Sequence, residues 1–178
     1  DLHATILHLL GFDHEKLKWM NGEYVRAMTP DRFYEMSVHA LARAGLDTNR
    51  FPTAYVKAAL DTCLGKVRVF NELPGYGGFY FADRVELDTE AKAAVSGEAR
   101  ERLAKLRTAF AGVPDFTAAS LETALKDTAK AAGVKNGLMV HPARFACTGK
   151  GSGPSLYHLL EVLGKERVLA RMDAALSA

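Results

Sequence analysis

Residues 134–172 read VKNGLMVHPARFACTGKGSGPSLYHLLEVLGKERVLARM. Apolar side chains recur in this stretch at three- and four-residue spacing, which is the period of a helix with one buried face. A first helix contains Pro142, which is expected to start, kink or restart it. A glycine-rich break follows, after which Pro154 is placed to open a second helix and Gly164 to separate it from a third. The stretch therefore predicts three helices joined by a loop and a turn.

The same helix signals recur upstream. Thr29 and Pro30 supply an N-cap and a first-turn proline to a helix that Gly45 ends. Three further helices are predicted over residues 52–65, 88–111 and 117–133. Residues 72–87, ELPGYGGFYFADRVEL, hold three glycines and predict a turn-rich connection. No run of strict apolar and polar alternation reaches five residues beside a hairpin turn, so we expect an all-α protein of eight or nine helices.

The composition excludes several classes of protein. The chain has 178 residues, 48% hydrophobic and 25% charged, which is ordinary for one globular domain or two small ones and argues against disorder. Its two cysteines, Cys63 and Cys147, lack a partner at metal-binding or redox spacing, so we expect buried thiols. No apolar run approaches the ~20 residues that span a bilayer, and the first residues lack the features of a secretory signal. We therefore expect a cytoplasmic protein without a membrane partner.

The net charge of +2 is unevenly distributed along the chain. Residues 135–171 hold six lysines and arginines against two acids, a net charge of +4. Residues 1–134 hold 17 basic and 18 acidic side chains, a net charge of −1. The C-terminal third is therefore where an anionic partner such as a nucleic acid would be attracted. A solvated helical face is the alternative interpretation of the same charges.

The residues show no sign of an active centre. TGKGSG at residues 148–153 is not a nucleotide-binding loop, because Gly151 follows Lys150 and Arg144 occupies the place of the required upstream glycine. A glycine-rich loop before a helix can still hold a phosphate on its backbone N–H groups, with a plain inter-helix connection as the alternative. The six histidines lack metal-ligand spacing and no serine lies in a nucleophile elbow, so we expect neither a metal site nor a catalytic residue.

Two segments resemble bacterial glutamyl-tRNA synthetase. FDHEKLKWMNGEYV at residues 12–25 is similar to a segment that follows the catalytic core of that family. Residues 134–172 resemble its C-terminal Pro-x-Arg-x-Ala-x-Thr-Gly and Leu-Gly-Lys-Glu-Arg motifs. The resemblance implies an all-α, helical anticodon-binding cage of two packed helical subdomains. It assigns residues 1–28 to the end of the stem-contact region, 29–112 to the first helical subdomain and 113–178 to the second.

The family attaches glutamate to tRNA-Glu using ATP, and the resemblance implies that this chain is its anticodon-arm binding domain. The class I signatures His-Ile-Gly-His and Lys-Met-Ser-Lys-Ser have no match in the sequence. We therefore expect a fragment that is inactive alone and holds no cofactor, with ATP and Mg²⁺ bound by a catalytic half outside it. The expected partner is tRNA-Glu, with tRNA-Gln as a second candidate, no DNA partner and a monomeric chain.

The resemblance also indicates residues of the last third that contact tRNA. The anticodon-contact arginine of the Pro-x-Arg motif falls on Arg144, and the leucine that starts the next helix falls on Leu156. An arginine suits base reading because its planar fork can bond a base edge at two points. The loop between them is expected to add contacts through Thr148, Lys150 and Gly153. A salt-bridged helix residue is the alternative role for Arg144.

Further tRNA contacts are expected in two other places. The family arginine that inspects the third anticodon base aligns with Lys66, and Arg68 is the alternative. Lys16 and Asn21 resemble residues that approach the tRNA stem. Trp19 is grouped with them, although a core position is the commoner role for a tryptophan. Two other functions stay open for the whole chain: the helical cage of another class I synthetase, and a protein-interaction module without an RNA role.

Overall fold

The computed structural model describes residue 11 and residues 14–178. Within these residues the α-helices are α1 His14–Arg26, α2 Pro30–Arg43, α3 Thr53–Asp61, α4 Leu73–Gly77, α5 Thr89–Ala94, α6 Glu98–Ala111, α7 Ala118–Ala131, α8 Gly137–Thr148, α9 Leu156–Leu163 and α10 Lys165–Ser177. Short 3₁₀ turns lie at Thr48–Arg50, Phe70–Glu72 and Gly78–Phe81. No strand occurs among the described residues, so the all-α prediction is confirmed. None of their helices is long and apolar enough to cross a membrane.

Side-chain caps begin the helices that the sequence predicted most clearly. The Thr29 side chain accepts a hydrogen bond from the N–H of Arg32 at 3.4 Å. Asp88 caps α5 in the same way at 2.8 Å, and Thr117 caps α7 at 3.3 Å. Each cap satisfies a backbone donor that has no partner within its own helix. The predicted helix starts at these three positions are confirmed.

Three predictions about the helices are wrong in detail. The helix expected over residues 88–111 is divided into α5 and α6, because Gly97 takes a φ of +54° between them. At Pro142 the structure rules out a start or a restart, since α8 runs through this residue, and the alternative of a kink there stays a prediction. Pro154 lies before α9 rather than in its first turn, and Ser155 is the N-cap. The described residues form ten α-helices, against the expected eight or nine.

The chain divides into two compact units, Asp1–Gly78 and Phe79–Ala178. In the first unit, α2 packs on α3, on α4 and on the turn at Phe70–Glu72. The side chains buried in this unit include Val25, Phe33, Leu41, Val56, Leu60 and Leu73. Phe33 and Leu41, on one face of α2, are therefore part of a core within this unit.

In the second unit, α6 packs on α7, α8 and α10. Its buried side chains include Leu103, Leu106, Phe110, Leu121, Leu125, Phe145 and Leu159. The boundary expected after residue 112 falls inside this unit, because α6 before that point packs on α7 and α8 after it. The contacts divide the chain after Gly78 instead. The assignment of residues 1–28 to a stem-contact region stays a prediction, and residues 1–10, 12 and 13 of it lie outside the described residues.

Candidate nucleic-acid interface

The glycine-rich segment of residues 149–155 forms a loop that folds back onto α8. Arg144 of α8 is half-buried, and its Nη1 donates a 2.7 Å hydrogen bond to the carbonyl oxygen of Pro154. A Cβ placed on Gly153 would lie 3.5 Å from the same Nη1 atom. The guanidinium therefore reaches across to the far end of the loop, and the loop and the arginine restrain each other.

Thr148 shapes the near end of the loop. Its Oγ1 accepts a hydrogen bond from the N–H of Lys150 at 3.1 Å, and lies 2.8 Å from the Arg144 carbonyl and 3.0 Å from the Lys150 carbonyl. The single hydroxyl proton can serve one of these carbonyls at a time. Thr148 is buried, whereas Lys150 is exposed. Thr148 therefore stabilises the loop from within, and Lys150 lies on its surface.

Two glycines of this loop lie close to their neighbours, and Gly149 has the stronger requirement for glycine. Gly149 has a φ of +72°, and a Cβ there would lie 2.9 Å from the carbonyl oxygen of Glu86. A Cβ on Gly151 would lie 3.0 Å from the ring of Phe145. The backbone thus passes closer to its neighbours than a larger residue would allow. Glycines that mark a break in the sequence also have a packing role in the structure.

The structure brings together the five predicted tRNA-contact residues of the last third. They lie on α8, on the loop and at the start of α9: Arg144, Thr148, Lys150, Gly153 and Leu156. Leu156 is buried, with 4% of its surface exposed, so its side chain packs in the interior of the unit. Contact between Leu156 and an anticodon stays a prediction.

Most cations of the C-terminal third are bonded to backbone carbonyls. Four of the six between residues 135 and 171 donate such bonds: Arg144, Lys165, Arg167 and Arg171. Lys165 Nζ, for example, lies 2.8 Å from the carbonyl oxygen of Val113. The positive charge that the sequence predicted as an attractant for an anionic partner is therefore used in part to hold the fold together.

The surface of helix α1 in the first unit carries three residues that were predicted to contact tRNA and two large side chains that were not. Lys16 and Asn21 are exposed, and Trp19 is 60% exposed, so the core role considered for Trp19 is wrong. Met20 and Tyr24 are also exposed, at 44% and 62%. The sequence alone does not mark these two residues as surface residues, because large apolar side chains on a helix usually indicate its buried face.

Lys66 and Arg68 lie beside α1 in the same unit. Both are exposed, and Val67 between them is buried. A Cβ on Gly22 of α1 would lie 3.4 Å from Cγ of Arg68, so the stem of the arginine packs along the helix. The five predicted residues outside the C-terminal loop thus belong to two neighbouring segments. Whether Lys66 or Arg68 faces a base stays a prediction.

The two thiols are buried, as the sequence predicts. Burial raises the pKa of Cys63 to about 11. It raises the pKa of Cys147 to about 12, although the nearby Arg171 acts in the opposite direction. No group of three His, Cys, Asp or Glu side chains in the described part of the chain is arranged to hold a metal ion.

The sequence of this helical fold and its loop matches a known domain family. The family model described as "Anticodon binding domain" matches residues 32–176, and the chain belongs to this family. Among curated relatives, the glutamate–tRNA ligase of Elusimicrobium minutum is 33% identical over 92% of this chain and 34% of its own length. The glutamate–tRNA ligase of Moorella thermoacetica is 32% identical over 92% of this chain and 34% of its own length. These relatives confirm the predicted resemblance to glutamyl-tRNA synthetase.

A solved structure shows the same fold. The crystal structure of a glutamate tRNA ligase from Elizabethkingia meningosepticum in complex with its amino acid superposes with a TM-score of 0.80 and 24% sequence identity. The match covers 94% of this chain and 33% of that one. The chain thus spans about a third of the length of the curated relatives and of the solved structure.

Proposed function

We propose that this chain binds the anticodon arm of tRNA-Glu as one part of a glutamate–tRNA ligase. The observation that carries the proposal is that Arg144 and the loop of residues 149–155 lie inside the region, residues 32–176, that matches the anticodon-binding family. Relatives named glutamate–tRNA ligase match more than nine-tenths of the chain, which supports glutamate as the amino acid of the longer protein.

The C-terminal loop is suited to reading unpaired bases. Anticodon bases are single-stranded, so their pairing edges and faces are open to a side chain. The hydrogen bond from Arg144 to Pro154 restrains the guanidinium, and a restrained planar fork can bond two atoms of a base edge or stack on its face. Lys150 is exposed on the loop surface, where its charge attracts a neighbouring phosphate, and a phosphate contact sets register without reading sequence.

The first unit supplies a second group of tRNA contacts. Lys16, Lys66 and Arg68 are exposed cations that attract the phosphate backbone, and Asn21 and Trp19 accompany them on α1. We assign the third anticodon base to Lys66, with Arg68 as the alternative. A lysine at this place would separate tRNA-Glu from tRNA-Gln less strictly, because a point charge fits a base edge less uniquely than a guanidinium.

In the whole enzyme, the catalytic step would belong to a part outside these 178 residues. ATP and Mg²⁺ would bind there, and this chain alone would be inactive. The chain would act as a monomer in the cytoplasm, where it would hold the anticodon arm while the catalytic part attaches glutamate.

The test is a titration of the chain with transcripts of tRNA-Glu, tRNA-Gln and tRNA-Glu with substituted anticodon bases. We expect the tightest binding to unsubstituted tRNA-Glu and loss of that preference in Arg144→Ala. Lys130→Ala removes an exposed cation of α7 outside the loop and is the matched control, which should keep the preference. Two salt concentrations separate the phosphate contribution, because that contribution weakens as salt rises.

Two outcomes would contradict the proposal. Equal affinity for all transcripts, with the same salt dependence, would leave a basic surface that does not read bases. Absence of tRNA binding at low salt, together with a tight protein complex in size-exclusion chromatography, would favour the protein-interaction module.

A further inference from the structure

We propose that Arg171 and Arg167 of α10 are positioning residues that set the geometry of the base-reading loop next to Arg144. They do so by bonding the backbone at the end of α8 and the backbone of residues 79–82. The proposal deepens the proposed function and rests on it where anticodon recognition is concerned. Its structural part, that α10 holds the loop in place, can be tested without RNA.

Arg171 is the most deeply buried cation among the described residues, at 6% exposure. Its Nη1 donates a 2.6 Å hydrogen bond to the carbonyl oxygen of Cys147, near the end of α8. Its Nη2 donates to the carbonyls of Phe79 at 2.8 Å and Ala82 at 2.9 Å. One guanidinium therefore joins two segments that are far apart in sequence.

Arg167 lies one helical turn earlier and bonds the same region. Its Nη2 donates to the carbonyls of Tyr80 at 3.0 Å and Ala82 at 3.1 Å. The Ala82 carbonyl thus accepts from both arginines. The two guanidinium groups lie on one face of α10 and together fix the backbone of residues 79–82. A single hydrogen bond would leave that backbone free to rotate.

Both bonded segments continue directly into the loop or its wall. The chain leaves Cys147 for Thr148 and Gly149, where the loop begins. The segment that follows Ala82 reaches Glu86. A Cβ added at Gly149 would lie only 2.9 Å from the carbonyl oxygen of Glu86, so this segment packs against the loop. Arg171 therefore holds the root of the loop and, through Ala82, the backbone against which the loop packs. A shift of either segment would move Thr148, which organises Lys150, and would alter the reach of Arg144.

Arginine is required for this arrangement by geometry and not only by charge. A guanidinium presents five N–H donors in a rigid fork, so Arg171 can bond three carbonyls at fixed directions. The ammonium of a lysine is one point with a different reach, so Arg171→Lys keeps the charge and loses the geometry. This substitution distinguishes positioning from electrostatics.

The experiment compares the whole chain with Arg171→Lys, Arg167→Gln and a control, Arg107→Gln. Arg107 lies on α6 and bonds Asp173 of α10, the helix that also carries Arg171 and Arg167. These bonds do not involve the carbonyls near the loop, so the control weakens the attachment of α10 at another place. Hydrogen exchange of the Lys150 amide, which bonds Thr148, is the readout without RNA. We expect that amide to exchange at least about tenfold faster in Arg171→Lys and unchanged in the control, as loss of a charge-assisted bond implies.

The RNA readout is the ratio of the dissociation constants for substituted and unsubstituted anticodon transcripts. We expect Arg171→Lys to reduce this ratio by about tenfold while the affinity for the substituted transcript changes by less than about twofold. Arg167→Gln should act in the same direction and more weakly, because Arg167 bonds the carbonyls of Tyr80 and Ala82, whereas Arg171 also bonds the Cys147 carbonyl directly before the loop. The control should keep the wild-type ratio.

Each contrary result identifies which proposal fails. Unchanged exchange of the Lys150 amide in Arg171→Lys would overturn the positioning role, whatever the RNA data. Faster exchange of the Lys150 amide in Arg171→Lys, with an unchanged ratio of the two dissociation constants, would overturn the part of Arg171 in base reading. A wild-type chain without any anticodon preference would overturn the proposed function, while faster exchange in Arg171→Lys would still support the structural part.

Discussion

Arg107 of α6 and Asp173 of α10 form a two-point ion pair, with Nε 2.8 Å from Oδ1 and Nη2 2.7 Å from Oδ2. Both hydrogen bonds are charge-assisted. The two N–H groups of the guanidinium match the two oxygens of the carboxylate, and such a two-point pair is stronger than a single hydrogen bond between the same groups. Both side chains are partly exposed, so water and salt weaken the attraction. The pair joins α10, the helix that carries Arg167 and Arg171, to the helix on which it packs.

Asp173→Asn should reduce stability near neutral pH and have little effect in acid. The Arg107 guanidinium holds the pKa of Asp173 below its ordinary value of 3.8 in the folded chain. A carboxyl with a lowered folded-state pKa stabilises the fold above its unfolded pKa, and this contribution is lost as the pH falls through the folded pKa. Thermal unfolding near pH 7 should give a Tm at most about 2–4 °C lower in the variant. A difference that does not shrink toward low pH would contradict this assignment.

Gly149→Ala should destabilise the chain more than Gly133→Ala. Both glycines have positive φ, +72° and +66°, so alanine is strained at each by about 1–2 kcal/mol. The Cβ at position 149 would also lie 2.9 Å from the Glu86 carbonyl, whereas nothing lies within 4 Å at position 133. Urea unfolding of both variants measures the difference. Equal losses in the free energy of unfolding would show that residues 85–86 do not hold the loop.

Neither cysteine should react with thiol reagents in the folded chain. Cys63 and Cys147 are fully buried, and burial raises their pKa values to about 11 and about 12, so almost no thiolate exists at neutral pH. Labelling with iodoacetamide, followed by mass spectrometry, should show no modification until denaturant is added and then modification at both. Rapid labelling of Cys147 in the native chain would indicate that the end of α8 opens readily.

Trp19 should report directly on α1. It is the single tryptophan of the chain and is 60% exposed, so acrylamide should quench its fluorescence efficiently. If α1 contacts RNA, saturating tRNA-Glu should protect the indole from the quencher, because stacking or coverage excludes acrylamide. Tyr24→Phe removes a hydroxyl from the same helix and is a control for changes in α1 itself. Quenching that stays unchanged with bound tRNA would remove α1 from the interface.

The beginnings of several helices could be predicted because their causes are local. Thr29, Asp88 and Thr117 each bond a backbone N–H three residues ahead, so the sequence of one turn contains all the information. The division between α5 and α6 also has a local signal in the sequence, which is the glycine at position 97. In the structure Gly97 takes a positive φ, which glycine adopts readily. The division was missed because the charged residues on both sides favour one continuous helix.

The residues of the candidate site could be predicted only in part. The motif around Arg144 and the glycine-rich loop is contiguous in sequence, so its members were found together. The exposed positions of Trp19 and Tyr24 could not be predicted, because an apolar residue on a helix gives the same pattern whether it is covered or not.

The sequence by itself determined the all-α class, the capped helices and the loop that carries Arg144, because these depend on residues that are neighbours along the chain. Only the tertiary structure decided what the cations of the last third do. Lys165 bonds a carbonyl 52 residues away and Arg171 one that is 92 residues away. A basic side chain looks the same in sequence whether it faces solvent or a buried carbonyl, and only the packing of α10 on distant segments distinguishes the two.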